Sequence, residues 1–397
     1  MTIINSKLFQ HVLFFFLLAN FMLSFISNYS TVTLIFKAIF FITSILLLVS
    51  NISINTINHT FQLNKSQILF ILFLVFLTFS ILWSENRIFG FLKFYQLIIA
   101  FIPNVLVITF HKQLFNKINF LKLSNYLLLL LTFLAIFTIF VPPVKFENFI
   151  LTKSFISHVF LGRLFIIAII INFYFILFCE SQFKIIYFIS FFVQTLALNQ
   201  IALRSGIFAT FFLILTLLIL FRQNRSFTSH VLVILLIFIT SLAINFFLFK
   251  NLKNRLPDPF VVTSLSLFSK DSIKDITISA RINGVKEGYR LFLDNFVFGS
   301  GLGAFNSSTE FRQLMKYPHN IFIEIAAENG IIGLIMFLLL LILLIRYINN
   351  FNFQMKCMLW IIFIYYFLLA QFSKDLSTNF QIFSLLFLND NEETTFR

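Results

Sequence analysis

Apolar runs long enough to cross a bilayer recur almost without interruption along this chain, and no other feature restricts its fold so sharply. They lie near residues 8–27, 31–50, 67–83, 88–110, 124–143, 159–179, 183–200, 205–221, 230–249, 320–345 and 353–372. Most reach the length a helix needs to span roughly 30 Å of hydrocarbon, where each backbone N–H and C=O must find a partner away from water. The expected fold is all-α, a polytopic membrane protein of 11–12 transmembrane helices. The twelfth run, 379–389, falls short of a full span and reads as tilted, truncated or partly interfacial. Charged residues make up 11% of the 397 positions, against about 25% in soluble domains, which excludes a soluble globular enzyme. The cationic side chains are dispersed among the spans, which argues against nucleic acid as a partner.

This pattern divides the chain into transmembrane helices 1–9 over 1–249, one long connection over 250–318, and helices 10–12 over 319–397. Lysines and arginines in the connections set the orientation. With a cytoplasmic N-terminus, the inside segments carry eleven of them, from Lys7 to Arg397, and the short outside segments carry five: Arg87, Lys145, Lys153, Arg204 and Lys374. The count favours that orientation and puts 250–318 on the outer face of a plasma membrane. This connection holds ten lysines and arginines against six acids. An outward-facing basic surface suits an anionic lipid or a phosphate-bearing substrate, and ordinary solvated charge is the alternative.

Cys179 and Cys357 fall near the expected cytoplasmic ends of spans, so no disulfide is implied. No grouping of Cys, His, Asp and Glu has metal-ligand spacing. The first span lacks a small-residue cleavage site and reads as a retained signal anchor. Lys37, Lys93 and Arg163 lie inside spans, where a charge marks function or else snorkels or pairs with a carbonyl. The spans are almost empty of acids, which weighs against a proton-coupled transporter.

Candidate functional residues gather on the outer side. In "LNQIALRSGIFATFF", Arg204 stands at the start of a helix with Ser205 as its cap, where a guanidinium can anchor in headgroups or fork onto phosphate oxygens. In "TISARINGVKEGYRLFLDNFVFGSGLGAF", Ile282, Val285, Tyr289 and Phe292 recur at helical spacing, and Arg281 borders that face while Arg290 lies elsewhere. Such a helix lies along the membrane or packs over the spans, shielding Arg281 in part from water. Gly299, Gly301 and Gly303 lack the lysine of a phosphate loop and the strand-to-helix setting of a dinucleotide site, so a flexible turn is expected.

The stretch "YPHNIFIEIAAENGIIGLIMF" opens the tenth span. Pro318 fits a first helical turn, which would place His319 and Asn320 at a positive helix terminus. The face from His319 would run through Ile323, Ala326 and Gly330, the last two offering a close helix contact. Glu324 and Glu328 project from another side, towards a Lys or Arg of a neighbouring element.

The order of these elements, a span-initial "RSG", then "R-x(17)-G-x-G-x-G-x-F", then "PHN" with "E-x-x-x-E-N-G-x-x-G", resembles the O-antigen ligase and polymerase family of bacterial membrane glycosyltransferases. The likeness covers roughly 195–345. It implies transfer of a glycan from an undecaprenyl-diphosphate carrier to an acceptor at the periplasmic face of the inner membrane, without metal, cofactor or nucleotide sugar. The acceptor would be the lipid A-core in a ligase, as in lipopolysaccharide biosynthesis, or another carrier-linked repeat in a polymerase. His319 would activate or orient the acceptor hydroxyl, and Arg204 and Arg281 would bind the diphosphate. Arg290 and Asn320 complete the expected substrate contacts. A lipid-linked sugar exporter or flippase without catalysis is the contrasting class.

Overall fold

The computed structural model describes residues 64–115, 120–140, 158–178, 184–200, 204–252, 276–308, 317–372, 376 and 380–387. The spans expected at 8–27 and 31–50, with Lys37 and Cys179, lie outside the described residues. The described residues form helices α1 (Lys65–Ser80), α2 (Arg87–Phe115), α3 (Phe120–Phe140), α4 (His158–Phe178), α5 (Lys184–Gln200), α6 (Arg204–Leu220), α7 (Arg225–Leu252), α8 (Ile276–Asp294), α9 (Ile321–Asn349) and α10 (Phe353–Phe372). No strand occurs among the described residues. Lys65–Trp83, Arg225–Asn245, Ile321–Asn349 and Phe353–Gln371 are each long and apolar enough to cross a membrane, and four shorter apolar helices accompany them. The protein is an all-α polytopic membrane protein.

Local sequence explains where helices begin. Asn64 caps α1 by accepting from the Gln67 amide at 2.9 Å while the Gln67 side chain accepts from the Asn64 amide, also at 2.9 Å. α4 is apolar on all sides and buried from Leu164 to Ile176, as a central helix must be. Its one buried amide, Asn172, donates to Gln194 at 2.6 Å, and Gln194 in turn donates to Thr132 of α3 at 3.1 Å. These bonds tie α3, α4 and α5 together with polar groups that have no water to turn to. α5 also packs on α7, α6 packs on α7 and α10, and α9 packs on α1, α8 and α10. Within the twelfth apolar run, Phe380–Phe387 is a 3₁₀ helix, about 16 Å long at 2 Å per residue, packed against α2 and α9.

α9 is broken at Gly330, whose φ of 64° and ψ of −164° belong to a region open essentially to glycine alone. A continuous helix would bond the Ile331 amide to the Ala327 carbonyl and the Ile332 amide to that of Glu328. Both pairs are redirected to the loop after α8. The Ala327 carbonyl accepts from Ser300 (3.0 Å) and that of Glu328 from Gly301 (2.8 Å), while Ile331 donates to Phe296 (2.8 Å) and Ile332 to Val297 (3.4 Å). The small-residue spacing at Ala326 and Gly330 therefore serves a helix break, not the helix contact expected from sequence.

The expected glycine turn is the other half of this joint. Gly299, Gly301 and Gly303 all have positive φ, and a Cβ on Gly301 would collide with the backbone of Ser80 and Ser84. The Ser80 hydroxyl accepts from the Leu302 amide (3.2 Å) and the Asn329 side chain (3.1 Å), and the Trp83 indole donates to the Gly299 carbonyl (3.2 Å). Replacing Gly330 by alanine is expected to cost about 1–3 kcal/mol through backbone strain. Thermal unfolding of the detergent-purified protein checks this, and an unchanged transition would mean that the break is not stably formed.

Candidate active site

The first half of α9, from its start to the break, carries the motif residues. Asn320 is its N-cap: its side-chain oxygen accepts from the amides of Phe322 (3.0 Å) and Ile323 (3.1 Å), and its amide group donates to Gln371 of α10 (3.1 Å). The helix thus starts at Ile321, so Pro318 does not occupy a first turn and His319 does not share a helical face with Ile323. His319 has a φ of 59°, incompatible with helix, and is half-buried with its ring 4.6 Å from that of Tyr317 in an edge-to-face contact. A histidine held in the left-handed region costs free energy that the surrounding structure must offset. Such offsets concentrate at functional sites.

Beneath this terminus sits a buried ion cluster. The Lys93 ammonium of α2 pairs with both Glu324 and Glu328, the latter at 2.6 Å, and all three side chains are at most 2% exposed. Glu324 also accepts from the Leu376 amide at 3.0 and 3.1 Å. The expectation that these glutamates pair with a cation of a neighbouring element holds, and Lys93 is that cation. Counting from Asn320 at 1.5 Å per residue, the two carboxylates lie about 6 and 12 Å below the helix start. Glu324, in the first turn, also faces the positive end of the helix dipole.

Helix directions place the other candidates. The rings of Phe221 and Phe353 are 5.5 Å apart, and the Tyr365 hydroxyl donates to the Gly206 carbonyl at 3.4 Å, so α6 and α10 run antiparallel. The backbone of Arg204, the first residue of α6, therefore stands at the end of α10 where Gln371 meets Asn320. Ser205 lies inside the first turn and is not the cap expected for it.

α8 runs alongside the first half of α9: a Cβ on Gly288 would collide with Ile323, and Leu291 is buried with Phe305 and Ala327. Arg281 is two turns earlier on the Gly288 face, about 10 Å further out, at the His319 end. It is exposed, not partly shielded as the sequence suggested. The reason is that α8 packs through glycines and Leu291 and leaves Ile282, Val285 and Tyr289 outward. Arg290 sits on another face, 3.9 Å from Asp294, with 75% of its side chain exposed. The structure thus brings Arg204, Arg281, His319 and Asn320 to one end of the bundle, and Arg290 stands apart from them as a surface ion pair.

Residues 189–338 match the model of the O-antigen ligase family. Over this segment the chain is similar to the O-antigen ligase family. The matched segment begins in α5 and ends past the break in α9, so it contains Arg204, Arg281, the glycine loop, His319 and both glutamates. Members of this family are membrane glycosyltransferase-like enzymes. No curated protein matches the chain.

Lys93 lies outside the matched segment, and its part in the site was hidden in sequence because its glutamate partners are more than 200 positions away. Ser80 and Trp83, which hold the glycine loop, gave no signal beyond their place at the end of a span. Lys93→Met should destabilise the protein by about 3–5 kcal/mol, since it leaves two buried carboxylates without their cation. Adding Glu324→Gln and Glu328→Gln should recover much of that loss. Denaturation of the single and triple variants measures it, and simple additivity would contradict the cluster.

Proposed function

We propose that the protein is an O-antigen ligase-like glycosyltransferase that moves a glycan from undecaprenyl diphosphate to a lipid A-core or similar acceptor. The reading rests on one observation: the segment similar to the O-antigen ligase family carries two arginines and a strained histidine at one end of a membrane bundle. Arg204 and Arg281 bind the diphosphate and stabilise the charge that grows on it as the glycosidic bond breaks, each worth about 3–4 kcal/mol as a preorganised donor. His319 takes the proton of the acceptor hydroxyl as that oxygen attacks the anomeric carbon. The diphosphate leaves with the bonding electrons, so direct attack inverts the anomeric centre. Asn320 fixes the backbone next to His319, and Lys93 with its two glutamates holds the half-helix on which both depend.

In the membrane this end faces the periplasm, because lysine and arginine bias puts the N-terminus in the cytoplasm. The natural setting is the inner membrane of a bacterium that builds lipopolysaccharide. A repeat-unit polymerase uses the same donor chemistry and differs in its acceptor.

Deletion of the gene with complementation by variants tests this on lipopolysaccharide gels. Loss of a ligase leaves core without long chains, while loss of a polymerase leaves core bearing a single repeat. His319→Ala should lower transfer by about 10²–10⁴-fold, and Arg204→Ala and Arg281→Ala by about 10²–10³-fold each, with normal membrane insertion. Wild-type banding from all three would remove the site, and an exporter would tolerate His319→Ala.

A further inference from the structure

At the opposite end of the bundle a cleft of about 720 Å³ opens where α6 and α9 end and α7 and α10 begin. Along the 20 residues of α10 it lies about 30 Å from the His319 end. Arg225 and Lys356 line it, and no acid appears among its described lining residues. Arg222, exposed in the adjoining turn, adds further positive charge beside it. Gln223, Asn224 and Asn349 supply amide groups, and Asn349 accepts from the Trp360 indole at 3.2 Å. The rest of the lining is apolar, from Leu220, Phe221 and Phe353. Phe221, Phe227 and Phe353 pack edge to face on one another at 5.1 to 5.8 Å, which gives that side a firm aromatic wall.

We propose that this cleft binds an anionic phospholipid of the leaflet opposite the transfer site. Its phosphate lies between Arg225 and Lys356, and an acyl chain rests on Leu220, Phe221 and Phe353. Two cations with no acid among the described lining residues call for an anion. A soluble phosphate would have no use for the aromatic wall, whereas a lipid needs a charged and an apolar side in one cleft. The indole of Trp360, polar at one edge and apolar elsewhere, fits the headgroup boundary at which such a cleft must sit. None of the cleft residues belongs to the proposed transfer site, so the proposal stands or falls apart from the ligase reading.

Native mass spectrometry of the full chain, released from micelles with equal amounts of phosphatidylglycerol and phosphatidylcholine of the same acyl length, reads the preference. The wild type should retain phosphatidylglycerol. R225Q and K356Q should each lower that preference about fivefold, and the double variant about thirtyfold. W360F keeps both cations, so it should keep the preference while losing the part of the fluorescence quenching that brominated phosphatidylglycerol produces at Trp360. That variant and the wild type test the site even if the charge variants fold poorly. Equal retention of the two lipids by the wild type, or an undiminished preference in the folded double variant, would overturn the proposal. Displacement of the lipid by millimolar glycerol 3-phosphate would overturn the lipid assignment in favour of a soluble phosphate.

Discussion

A helix interrupted within a membrane persists only if the backbone groups it releases find partners, because hydrocarbon offers none. At Gly330 those partners come from one loop. Residues 296–301 take over two carbonyls and two amides of α9, replacing both lost helical bonds. The geometry of the candidate site follows from that exchange. The loop is the direct continuation of α8, so the helix carrying Arg281 is docked beside the half-helix that His319 precedes. The Ser80 hydroxyl and the Trp83 indole then tie the joint to α1, making three distant parts of the chain one rigid element.

The short half-helix would be a weak platform by itself, since nine residues from Ile321 to Asn329 make only two and a half turns. Its anchoring is electrostatic. Lys93 draws in two carboxylates one turn apart, and the Leu376 amide supports the upper one. Burying these charges is costly, and a cluster of this kind contributes more to a unique arrangement than to net stability. Above it, Asn320 spends its oxygen on the helix start and its amide group on α10, which holds His319 in a backbone conformation it would otherwise avoid.

Much of this was legible in sequence. The apolar runs announced an all-α membrane protein, "RSG" marked a helix start within two residues, and glutamates four apart announced a cation partner. Four features were not legible, each for a physical reason. Lys93 could be seen as an intramembrane charge, but its partners lie 231 and 235 positions on, and only the fold joins them. Gly330 fits a close helix contact as well as a break, and only its φ separates the two. Pro318 favours a first helical turn, yet Asn320 won the cap because its side chain satisfies two orphan amides at once. The exposure of Arg281 was hidden because glycines, which carry no hydropathy signal, form the packing face of α8.

The central claim is that a lipid-borne diphosphate docks at the end of the bundle where α9 starts. An experimentally determined structure of the full chain with a non-transferable undecaprenyl-diphosphate analogue tests it most directly. The diphosphate should be found between Arg204 and Arg281, with His319 facing the anomeric carbon. A diphosphate bound at the far end, beside Asn349, or remote from both arginines would contradict the account.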